Sequence, residues 1–320
     1  MSDWPITYDD VLGARERIAP HLTPSPLRSY PALDEVLGMH LLVKHENLHP
    51  TNAFKVRNGT SALTALSEDE RSRGVIAATR GNHGLGLAWA GRRLGVSVTL
   101  CVPVGNNPEK NRDLRAFGAE VIEHGRDYDE SIGRMQEEID RRGLVPVHST
   151  NDAFVIAGAG TIALETVEQA ALAGESIDAM VVSVGGGSQA VGSMTVLRER
   201  LPRALVVGVQ AAGASAIHDS WHAGEPLEKD GADTFADGLA TRMTYELTFP
   251  ALREGLTDFI TVTEQEIADA IRLFFEITGV TPEGAGAAGL AGLRKLDLTG
   301  TVAIVITGSN IDPGVLDSIG

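Results

Sequence analysis

The sequence contains very little cysteine and little lysine, and both shortages are informative. Cys101 is the one cysteine among 320 residues, so no intrachain disulfide is possible and a reducing compartment is favoured. It lies in the apolar run 98–102, which predicts a core strand residue. Only five of the 27 basic residues are lysine, so a lysine with apolar neighbours carries more information than usual.

Positive charge and long apolar runs are also scarce. The chain has 27 Lys and Arg against 43 Asp and Glu, a formal net charge of −16. Nucleic acids and anionic membranes bind clustered basic residues, so we predict neither as a partner, although a small anionic ligand needs only a local site. No apolar run reaches the ~20 residues of a membrane span. Met1–Pro5 lack the basic and apolar regions of a secretory signal, so we predict a cytoplasmic protein.

Short, β-branched apolar runs alternate along the chain with longer amphipathic helical patterns. This alternation predicts an α/β protein with a mostly parallel sheet, and the length allows one large or two moderate domains. The predicted strands are Leu41–Val43, Val75–Ala78, Val96–Val102, Glu120–Ile122, Met180–Val184, Leu205–Val209 and Val302–Ile306. The predicted helices include Glu109–Phe117, Tyr128–Arg141 and Glu264–Thr278.

A glycine-rich turn, Gly185-Gly186-Gly187-Ser188, directly follows the predicted strand Met180–Val184. Ligands of parallel α/β folds bind at the carboxyl ends of strands, where glycine N–H groups can converge on a phosphate. A tight turn that needs positive φ is the structural alternative. A dinucleotide site is another, because Gly185, Gly187 and Ala190 fit G-x-G-x-x-A. That site expects an acidic residue after the next strand, which ends instead in Gln210.

Two more polar turns follow predicted strands. Thr79-Arg80-Gly81-Asn82-His83-Gly84 follows Val75–Ala78 and combines a hydroxyl, a guanidinium and an amide, whereas a plain polar turn needs only glycine or asparagine. Thr307-Gly308-Ser309-Asn310 follows Val302–Ile306. A single turn of this kind is weak evidence, but three in one α/β chain favour a ligand site at the strand ends.

Lys55 lies in the segment Asn52-Ala53-Phe54-Lys55-Val56-Arg57. Its apolar neighbours should limit solvent access, and desolvation lowers a lysine pKa, so that the neutral amine can form a Schiff base or abstract a proton. The alternative is a lysine whose stem covers apolar surface while its ammonium group stays hydrated. The phosphate-type glycine turn elsewhere in the chain favours the Schiff-base interpretation.

Two histidine pairs have the spacing of metal ligands. His45-Glu46-Asn47-Leu48-His49 matches H-E-x-x-H, a pattern that needs both histidines on one helix face. A β-type run precedes it and Pro50 disfavours an α conformation at His49, so we predict no zinc site there. His218 and His222 have the same spacing without an acidic motif, which predicts a solvated helix face.

Together these segments resemble the fold-type II enzymes of the threonine/serine dehydratase and serine racemase family, which depend on pyridoxal 5'-phosphate (PLP). Thr51–Arg57 resembles their Thr-Gly-Ser-Phe-Lys-x-Arg segment, and Thr79–Gly84 resembles their Ser-x-Gly-Asn-His loop. The other matching segments, in family order along nearly the whole chain, are Val155–Glu165, Gly185–Ser188, Asp237–Ala240, Glu283–Gly286 and Thr307–Asp312.

The resemblance implies a tryptophan synthase β-like fold of two domains, each with a mostly parallel sheet flanked by helices. Residues 1–73 plus 148–320 would form a large PLP-binding domain, and residues 74–147 would form a small substrate-loop domain. Relatives form homodimers or homotetramers, which implies the same assembly here.

The resemblance also implies a role for each site residue. Lys55 would carry the cofactor as a Schiff base and exchange the Cα proton of the substrate. The other cofactor contacts would be Phe54 beside the ring, Asn82 at the phenolic oxygen, Thr307 at the pyridine nitrogen, and the N–H groups of Gly185, Gly186, Gly187 and Ser188 at the phosphate. The substrate carboxylate would be held by Thr79 and by the N–H groups of Arg80, Gly81, Asn82 and His83.

This set implies a dehydratase, or ammonia-lyase, that removes water from a β-hydroxy amino acid of the threonine, serine or 3-hydroxyaspartate type. The products would be a 2-oxo acid and ammonia. The hydroxyl of Thr307 does not favour a protonated pyridine, so β-elimination suits the site better than transamination. The alternatives are a racemase or β-replacement enzyme of the same fold and, from a different class, an NAD-dependent oxidoreductase.

Departures from the family pattern bear on specificity. Arg80 stands where racemases have the serine that acts as a base and where dehydratases commonly have alanine. An arginine stays protonated, so we predict weak or absent racemase activity, and Arg80 either contacts a second substrate carboxylate or pairs with a structural carboxylate. Asn52 and Ala53 replace Gly and Ser beside the lysine. Gln210 replaces the Glu of a divalent-cation site and is a poorer ligand, so we predict no metal there.

Overall fold

The computed structural model describes residues 4–126 and 128–319. The strands in this part of the chain are β1 Leu27–Ser29, β2 His40–His45, β3 Val75–Ala78, β4 Val98–Val102, β5 Glu120–Glu123, β6 Val145–Pro146, β7 Ala179–Ser183, β8 Leu205–Ala211, β9 Asp258–Val262 and β10 Thr301–Ile306. The helices are α1 Tyr8–Ile18, α2 Pro31–Leu37, α3 Lys55–Ala65, α4 Glu68–Arg73, α5 Asn82–Leu94, α6 Pro108–Ala116, α7 Tyr128–Arg142, α8 Ala153–Leu172, α9 Ser188–Arg200, α10 Ala216–Ala223, α11 Phe249–Gly255, α12 Glu264–Thr278, α13 Gly284–Leu293 and α14 Pro313–Ile319. Short 3-10 segments occupy Glu46–Leu48, Ala212–Ala214 and Asp237–Leu239.

The strands form two sheets, one in the order β1-β2-β10-β7-β8-β9 and one in the order β5-β4-β3-β6. All neighbours are parallel except β1, which pairs antiparallel with β2. Successive residues of β7 enter two separate cores, because helices cover both faces of the larger sheet: Met180 packs with residues of α8 and α9, and Val181 packs with residues of α12 and α13. The predicted α/β fold, with two mostly parallel sheets flanked by helices, is confirmed.

All seven predicted strands are present, with ends shifted by up to two residues, and the predicted helix Glu264–Thr278 has the predicted bounds. The sequence patterns missed β1, β6 and β9. β1 is a three-residue edge strand with two exposed positions, and β6 has only two residues, one of them a proline. β9 is a half-buried edge strand without clear alternation. Strands that are short or only partly buried leave little apolar pattern, because few of their side chains enter the core.

The smaller sheet comes entirely from residues 75–146, and the larger sheet is built from chain on both sides of that stretch. The domain division at residues 74 and 147 stays a prediction. Two contacts from the region of α6 cross to the other part of the chain: Asn107 donates to Asp312, and Lys110 pairs with Asp237 at 2.6 Å. These contacts hold α6 against the 3-10 segment Asp237–Leu239 and the start of α14.

A buried ionic network anchors α3. Arg57 is 1% exposed, and its guanidinium donates to Glu46 at 2.7 and 2.9 Å and to Glu165 at 2.6 and 2.7 Å. Lys44 is fully buried and pairs with the same Glu165 at 2.8 Å. Burial alone would raise the pKa of Glu46, but Arg57 holds it well below its ordinary value. Two cations therefore balance two carboxylates beneath the helix that begins at Lys55.

The segment His45-Glu46-Asn47-Leu48-His49 does not form the α-helix that a zinc motif of this spacing needs. His45 ends β2 and Glu46–Leu48 form a 3-10 turn, so the two histidines do not share an α-helix face. His45 lies 2.9 Å from the Tyr30 hydroxyl, and His49 lies 3.2 Å from Glu46. Both imidazoles contact neighbouring side chains.

Cys101 is fully buried in β4, as predicted, and burial raises the pKa of its thiol to about 11. Among the residues described, no helix has the length and apolar character to cross a membrane.

Candidate active site

Lys55 is the first residue of α3, and its amine lies among groups from distant parts of the chain. Nζ donates to the carbonyl oxygen of Ser149 at 3.0 Å and lies 3.5 Å from Ser188 Oγ. It also lies 5.1 Å from the centre of the Phe54 ring. Desolvation by burial lowers the pKa of Lys55 to about 8, which makes the amine far easier to deprotonate than that of an exposed lysine.

The turn before Lys55 brings the Thr307 turn beside it. Asn52 has a φ of 53°, in the left-handed region that glycine and asparagine adopt most readily. Its carbonyl accepts a hydrogen bond from Ser309 N–H, and Phe54 N–H donates to the Thr307 carbonyl, both at 2.9 Å. An asparagine can therefore stand where the family segment has glycine, and the main chain joins the Lys55 and Thr307 turns directly.

The turn Gly185–Ser188 joins β7 to α9, which begins at Ser188. Gly187 has a φ of 95°, so the structural need for glycine predicted at this turn is real at that position. No acceptor for the N–H groups of these four residues is found within the part of the chain that the structure describes. Free N–H groups at a helix N-terminus bind anions, and here they lie beside the Lys55 amine.

Close packing also excludes side chains from the same turn. A Cβ on Gly185 would collide with the carbonyl oxygen of Gly238, and a Cβ on Gly186 would collide with the hydroxyl of Thr150. Thr150 is itself buried. The turn is therefore fitted against two neighbouring segments with its N–H groups unpaired.

The turn Thr79–His83 joins β3 to α5. Thr79 Oγ1 accepts hydrogen bonds from the N–H groups of Gly81 and Gly84, both at 3.1 Å, so this hydroxyl holds the shape of the turn. Asn82 and His83 are the first residues of α5, and their N–H groups have no acceptor inside the helix. Those two groups suit a carboxylate.

Asn82 connects this turn to the C-terminal part of the chain. Its Nδ2 donates to Glu283 Oε1 at 2.7 Å, and its Oδ1 accepts from Asn310 Nδ2 at 2.7 Å. Desolvation raises the pKa of Glu283 to about 7, against the opposing effect of Lys110. The predicted segments Thr79–Gly84, Glu283–Gly286 and Thr307–Asp312 thus meet at one point.

Two imidazoles near Lys55 are held in the neutral form. Desolvation, and then the charge of Lys55, lower the pKa of His83 to about 3, and its Nε2 lies 3.0 Å from the Val147 carbonyl oxygen. The same two causes lower the pKa of His148, whose Nδ1 accepts from the N–H groups of Thr150 and Asn151. His148 and Ser149 could not be predicted from the sequence, because they belong to no motif and reach Lys55 only through the fold.

Comparison with known proteins assigns the chain to a family. A profile of the family described as pyridoxal-phosphate dependent enzymes matches residues 18–308. The chain belongs to this family. Among curated proteins, the L-threonine ammonia-lyase of Thermotoga maritima is 37% identical over 316 residues, which are 98% of this chain and 78% of that protein.

Solved structures agree with the assignment to PLP-dependent enzymes. Maize serine racemase matches with a TM-score of 0.93 and 27% identity over 98% of this chain and 97% of that one. The T.th. threonine deaminase matches with a TM-score of 0.92 and 34% identity over 96% of this chain and 99% of that one. The predicted resemblance, fold type and cofactor are confirmed. The dinucleotide site at Gly185–Ser188 was the alternative that Gln210 opposed, and the profile of PLP-dependent enzymes spans that turn.

The residues of this PLP-dependent enzyme fit its cofactor. The site supplies a desolvated lysine amine for the cofactor's aldehyde, a cradle of unpaired N–H groups for the phosphate, and an aromatic ring beside the amine. Thr307 lies directly after β10 and is 5% exposed. The individual contacts of Phe54, Asn82, Thr307 and Gly185–Ser188 with the cofactor stay predictions.

Gly186→Ala is expected to weaken PLP binding at least about tenfold, because the new Cβ would collide with Thr150 and displace the N–H cradle. Titration of the cofactor-free protein with PLP, followed by visible absorbance, measures the affinity. Adding Thr150→Ala should recover part of the loss, since it removes the colliding hydroxyl. Gly133→Ala has open space around the new Cβ and is the matched control. Wild-type affinity for PLP in Gly186→Ala would contradict the proposal that the N–H groups of this turn bind the phosphate.

Gln210 uses both ends of its amide in hydrogen bonds within the protein. It is fully buried, its Nε2 donates to Thr241 Oγ1 at 3.1 Å, and its Oε1 accepts from His218 N–H at 3.0 Å. His218 also lies 2.8 Å from Asp219, while His222 is exposed on the same helix. That no divalent cation binds at Gln210 stays a prediction.

Proposed function

We propose that the protein is a PLP-dependent ammonia-lyase that removes water from a β-hydroxy amino acid and releases a 2-oxo acid and ammonia. The observation that carries the proposal is the desolvated amine of Lys55, whose Nζ lies 3.5 Å from Ser188 Oγ. Ser188 ends the glycine turn and begins α9. The names of the relatives described above, L-threonine ammonia-lyase and threonine deaminase, support the same reaction.

The chain would hold its cofactor at both ends. Lys55 carries it covalently, the N–H groups of Gly185–Ser188 bind its phosphate, and Phe54, Asn82 and Thr307 contact its ring. When bound, PLP supplies an electron sink that acidifies the Cα–H bond of the attached amino acid. The N–H groups of Asn82 and His83, at the start of α5, bind the substrate carboxylate and fix which bond faces Lys55.

Lys55 then moves the proton. The substrate's amino group would replace Lys55 on the cofactor, and the freed Nζ would then accept the Cα proton, a task that a pKa of about 8 suits better than that of an ordinary lysine. The β-hydroxyl leaves with a proton as water, so the amino acid loses one water in total. The released enamine tautomerises and takes up water to give the 2-oxo acid and ammonia.

The test is direct. Purified protein with PLP is expected to absorb visible light and to form 2-oxo acid and ammonia in equal amounts from L-threonine or L-serine. Chiral analysis of the remaining substrate measures racemisation in the same reaction. A protein that gains no visible absorbance when PLP is added, or that forms no oxo acid from any β-hydroxy amino acid, would overturn the proposal.

A racemase is the second candidate, because maize serine racemase has a closely similar fold. Arg80 opposes it, since a protonated guanidinium cannot act as the base on the second face of the substrate. We expect less D-serine than pyruvate from L-serine, and the reverse ratio would favour the racemase.

The surroundings of Arg80 support the proposal that the substrate has a second acidic group. Its side chain is exposed, and no carboxylate within ion-pair distance of it occurs in residues 4–126 and 128–319. It lies two residues before Asn82, whose N–H group, with that of His83, would bind the substrate carboxylate. A guanidinium in that place is suited to a bidentate pair with the side-chain carboxylate of a 3-hydroxyaspartate-like substrate.

Arg80→Ala is expected to lower kcat/KM for 3-hydroxyaspartate at least about tenfold while changing kcat/KM for threonine much less, because only the diacid has the second carboxylate. Steady-state kinetics with both substrates measure the ratio. Arg112→Ala, which removes another exposed guanidinium, is the control. Equal effects on the two substrates would exclude Arg80 as a specificity residue.

For the state of the enzyme in the cell, we propose a cytoplasmic homodimer or homotetramer. The single buried cysteine and the absence of a possible intrachain disulfide support a reducing compartment. Light scattering of the purified protein tests the assembly, and a monomeric mass of 33.8 kDa would contradict it.

A further inference from the structure

The carboxamide of Asn82 is held from both sides by residues far away in the chain. Its Nδ2 donates to Glu283 Oε1 at 2.7 Å, and its Oδ1 accepts from Asn310 Nδ2 at 2.7 Å. The same Asn310 Nδ2 donates to the carbonyl oxygen of Thr51 at 2.9 Å. These contacts form a continuous hydrogen-bond relay from Thr51 through Asn310 and Asn82 to Glu283.

The chemistry of the two ends determines the direction of this relay. A backbone carbonyl accepts only, so Asn310 must present its amino group to Thr51, and the second N–H of that group reaches Asn82. Asn82 must therefore face Asn310 with its oxygen and face Glu283 with its amino group. An ionised Glu283 also accepts only, so both ends demand the same orientation of the Asn82 amide.

Asn82 keeps one N–H for a ligand in this orientation. An amide nitrogen carries two hydrogens, and Glu283 takes one of them. The described part of the chain offers no second acceptor for Asn82 Nδ2. In the opposite amide orientation, two oxygens would face each other at Glu283, and Asn310 would meet a second amino group.

We propose that Glu283 and Asn310 are positioning residues that fix the Asn82 carboxamide with one N–H directed to an oxygen of the bound PLP. The inference rests on the proposed contact between Asn82 and the cofactor. It adds the two residues on which that contact depends, neither of which needs to touch the cofactor.

The surroundings of Glu283 make its acceptor role sensitive to charge. A cavity of about 140 Å³ beside the relay is lined by residues that include Lys110, Asp237, Glu283, Asn310 and Asp312. Desolvation raises the pKa of Glu283 to about 7, Lys110 opposes this rise and Asp237 adds to it. PLP affinity should therefore fall as the pH drops below about 7, because a protonated carboxyl accepts less strongly.

The experiment titrates cofactor-free protein with PLP and follows visible absorbance, so that affinity is measured without catalysis. Glu283→Ala removes the acceptor and is expected to weaken binding about tenfold, whereas Glu283→Gln keeps an acceptor oxygen and is expected to stay within about threefold of wild type. Titration of Lys55, whose pKa is about 8, makes affinity depend on pH in both proteins, so the extra fall below pH 7 in wild type relative to Glu283→Gln measures the contribution of Glu283. A merely structural glutamate would not produce this pattern.

Asn310→Asp tests the other side of the relay. The substitution keeps the size of the side chain but removes its amino group, so the expected loss of affinity is again about tenfold. It also serves if Glu283→Ala does not fold. Gln265→Glu makes the same chemical change beside Asp269 on the surface of α12, and it should leave affinity unchanged.

Asn82→Ala separates the inference from the role of Asn82 on which it rests. Loss of affinity in Asn82→Ala, with wild-type affinity in Glu283→Ala and Asn310→Asp, would overturn the positioning role alone. Unchanged affinity in Asn82→Ala would overturn the contact of Asn82 with the cofactor and the positioning role together.

Discussion

Lys55→Ala is expected to lower kcat/KM for the β-hydroxy amino acid by at least about a thousandfold. The substitution removes both the amine that carries the cofactor and the base that accepts the Cα proton. The protein should also lose the visible absorbance that covalent attachment produces, since alanine offers no amine. Oxo-acid formation and absorbance of the purified variant measure the two effects separately.

Two further variants make this result specific. Lys55→Arg keeps a positive charge but stays protonated, so it should be as inactive as the alanine variant. Lys295→Ala removes a lysine that pairs with Glu266 on the surface, and it should leave activity and absorbance unchanged. Activity and colour close to wild type in Lys55→Ala would refute the assignment of Lys55.

Arg57→Ala is expected to lower the free energy of unfolding by about 3–5 kcal/mol. The guanidinium is buried and bonds two carboxylates, so its removal leaves Glu46 and Glu165 with only Lys44 as a buried cation. Urea unfolding followed by circular dichroism measures the change. A fall of less than about 1 kcal/mol would mean that solvent reaches this network freely.

The pH dependence of this loss identifies its cause. Burial opposes ionisation of Glu46, and Arg57 keeps its pKa low in the folded wild type, so the pair contributes stability above the unfolded pKa of the glutamate and loses it as the pH falls. The difference in the free energy of unfolding between wild type and Arg57→Ala should therefore become smaller at acidic pH. Arg115→Ala, which breaks an exposed pair with Glu123, should cost less than about 1 kcal/mol at any pH.

Helix α3 contains both Lys55, the proposed catalytic residue, and Arg57, which stabilises the fold. Arg57 lies two residues after Lys55, and its bonds to Glu46 and Glu165 hold the start of α3 against the 3-10 segment Glu46–Leu48 and α8. A shift of the first turn of α3 would move Lys55 Nζ away from the Ser149 carbonyl and from Ser188 Oγ. We therefore expect variants of the network to lose PLP affinity before they lose overall fold.

Much of this site could be recognised in the amino-acid order before any folding was considered. Strands such as Val75–Ala78 and the glycine turn after Val184 are local patterns, because β-branched apolar runs and glycines have the same conformational preferences wherever they stand. Lys55 was identified from neighbours that lie within a few positions of it. The fold class followed from such short segments, and the cofactor with its lysine followed from the resemblance of these segments, in their order along the chain, to a known family.

The partners of these residues could be known only from the folded chain. Asn82 lies 201 positions from Glu283 and 228 from Asn310, and Lys55 lies 94 positions from the Ser149 carbonyl it contacts. The low pKa of Lys55 and the orientation of the Asn82 amide depend on burial and on opposing donors and acceptors, which exist only once the two sheets have come together. Residue types establish which groups are available, but their protonation and direction are properties of the surroundings that folding creates.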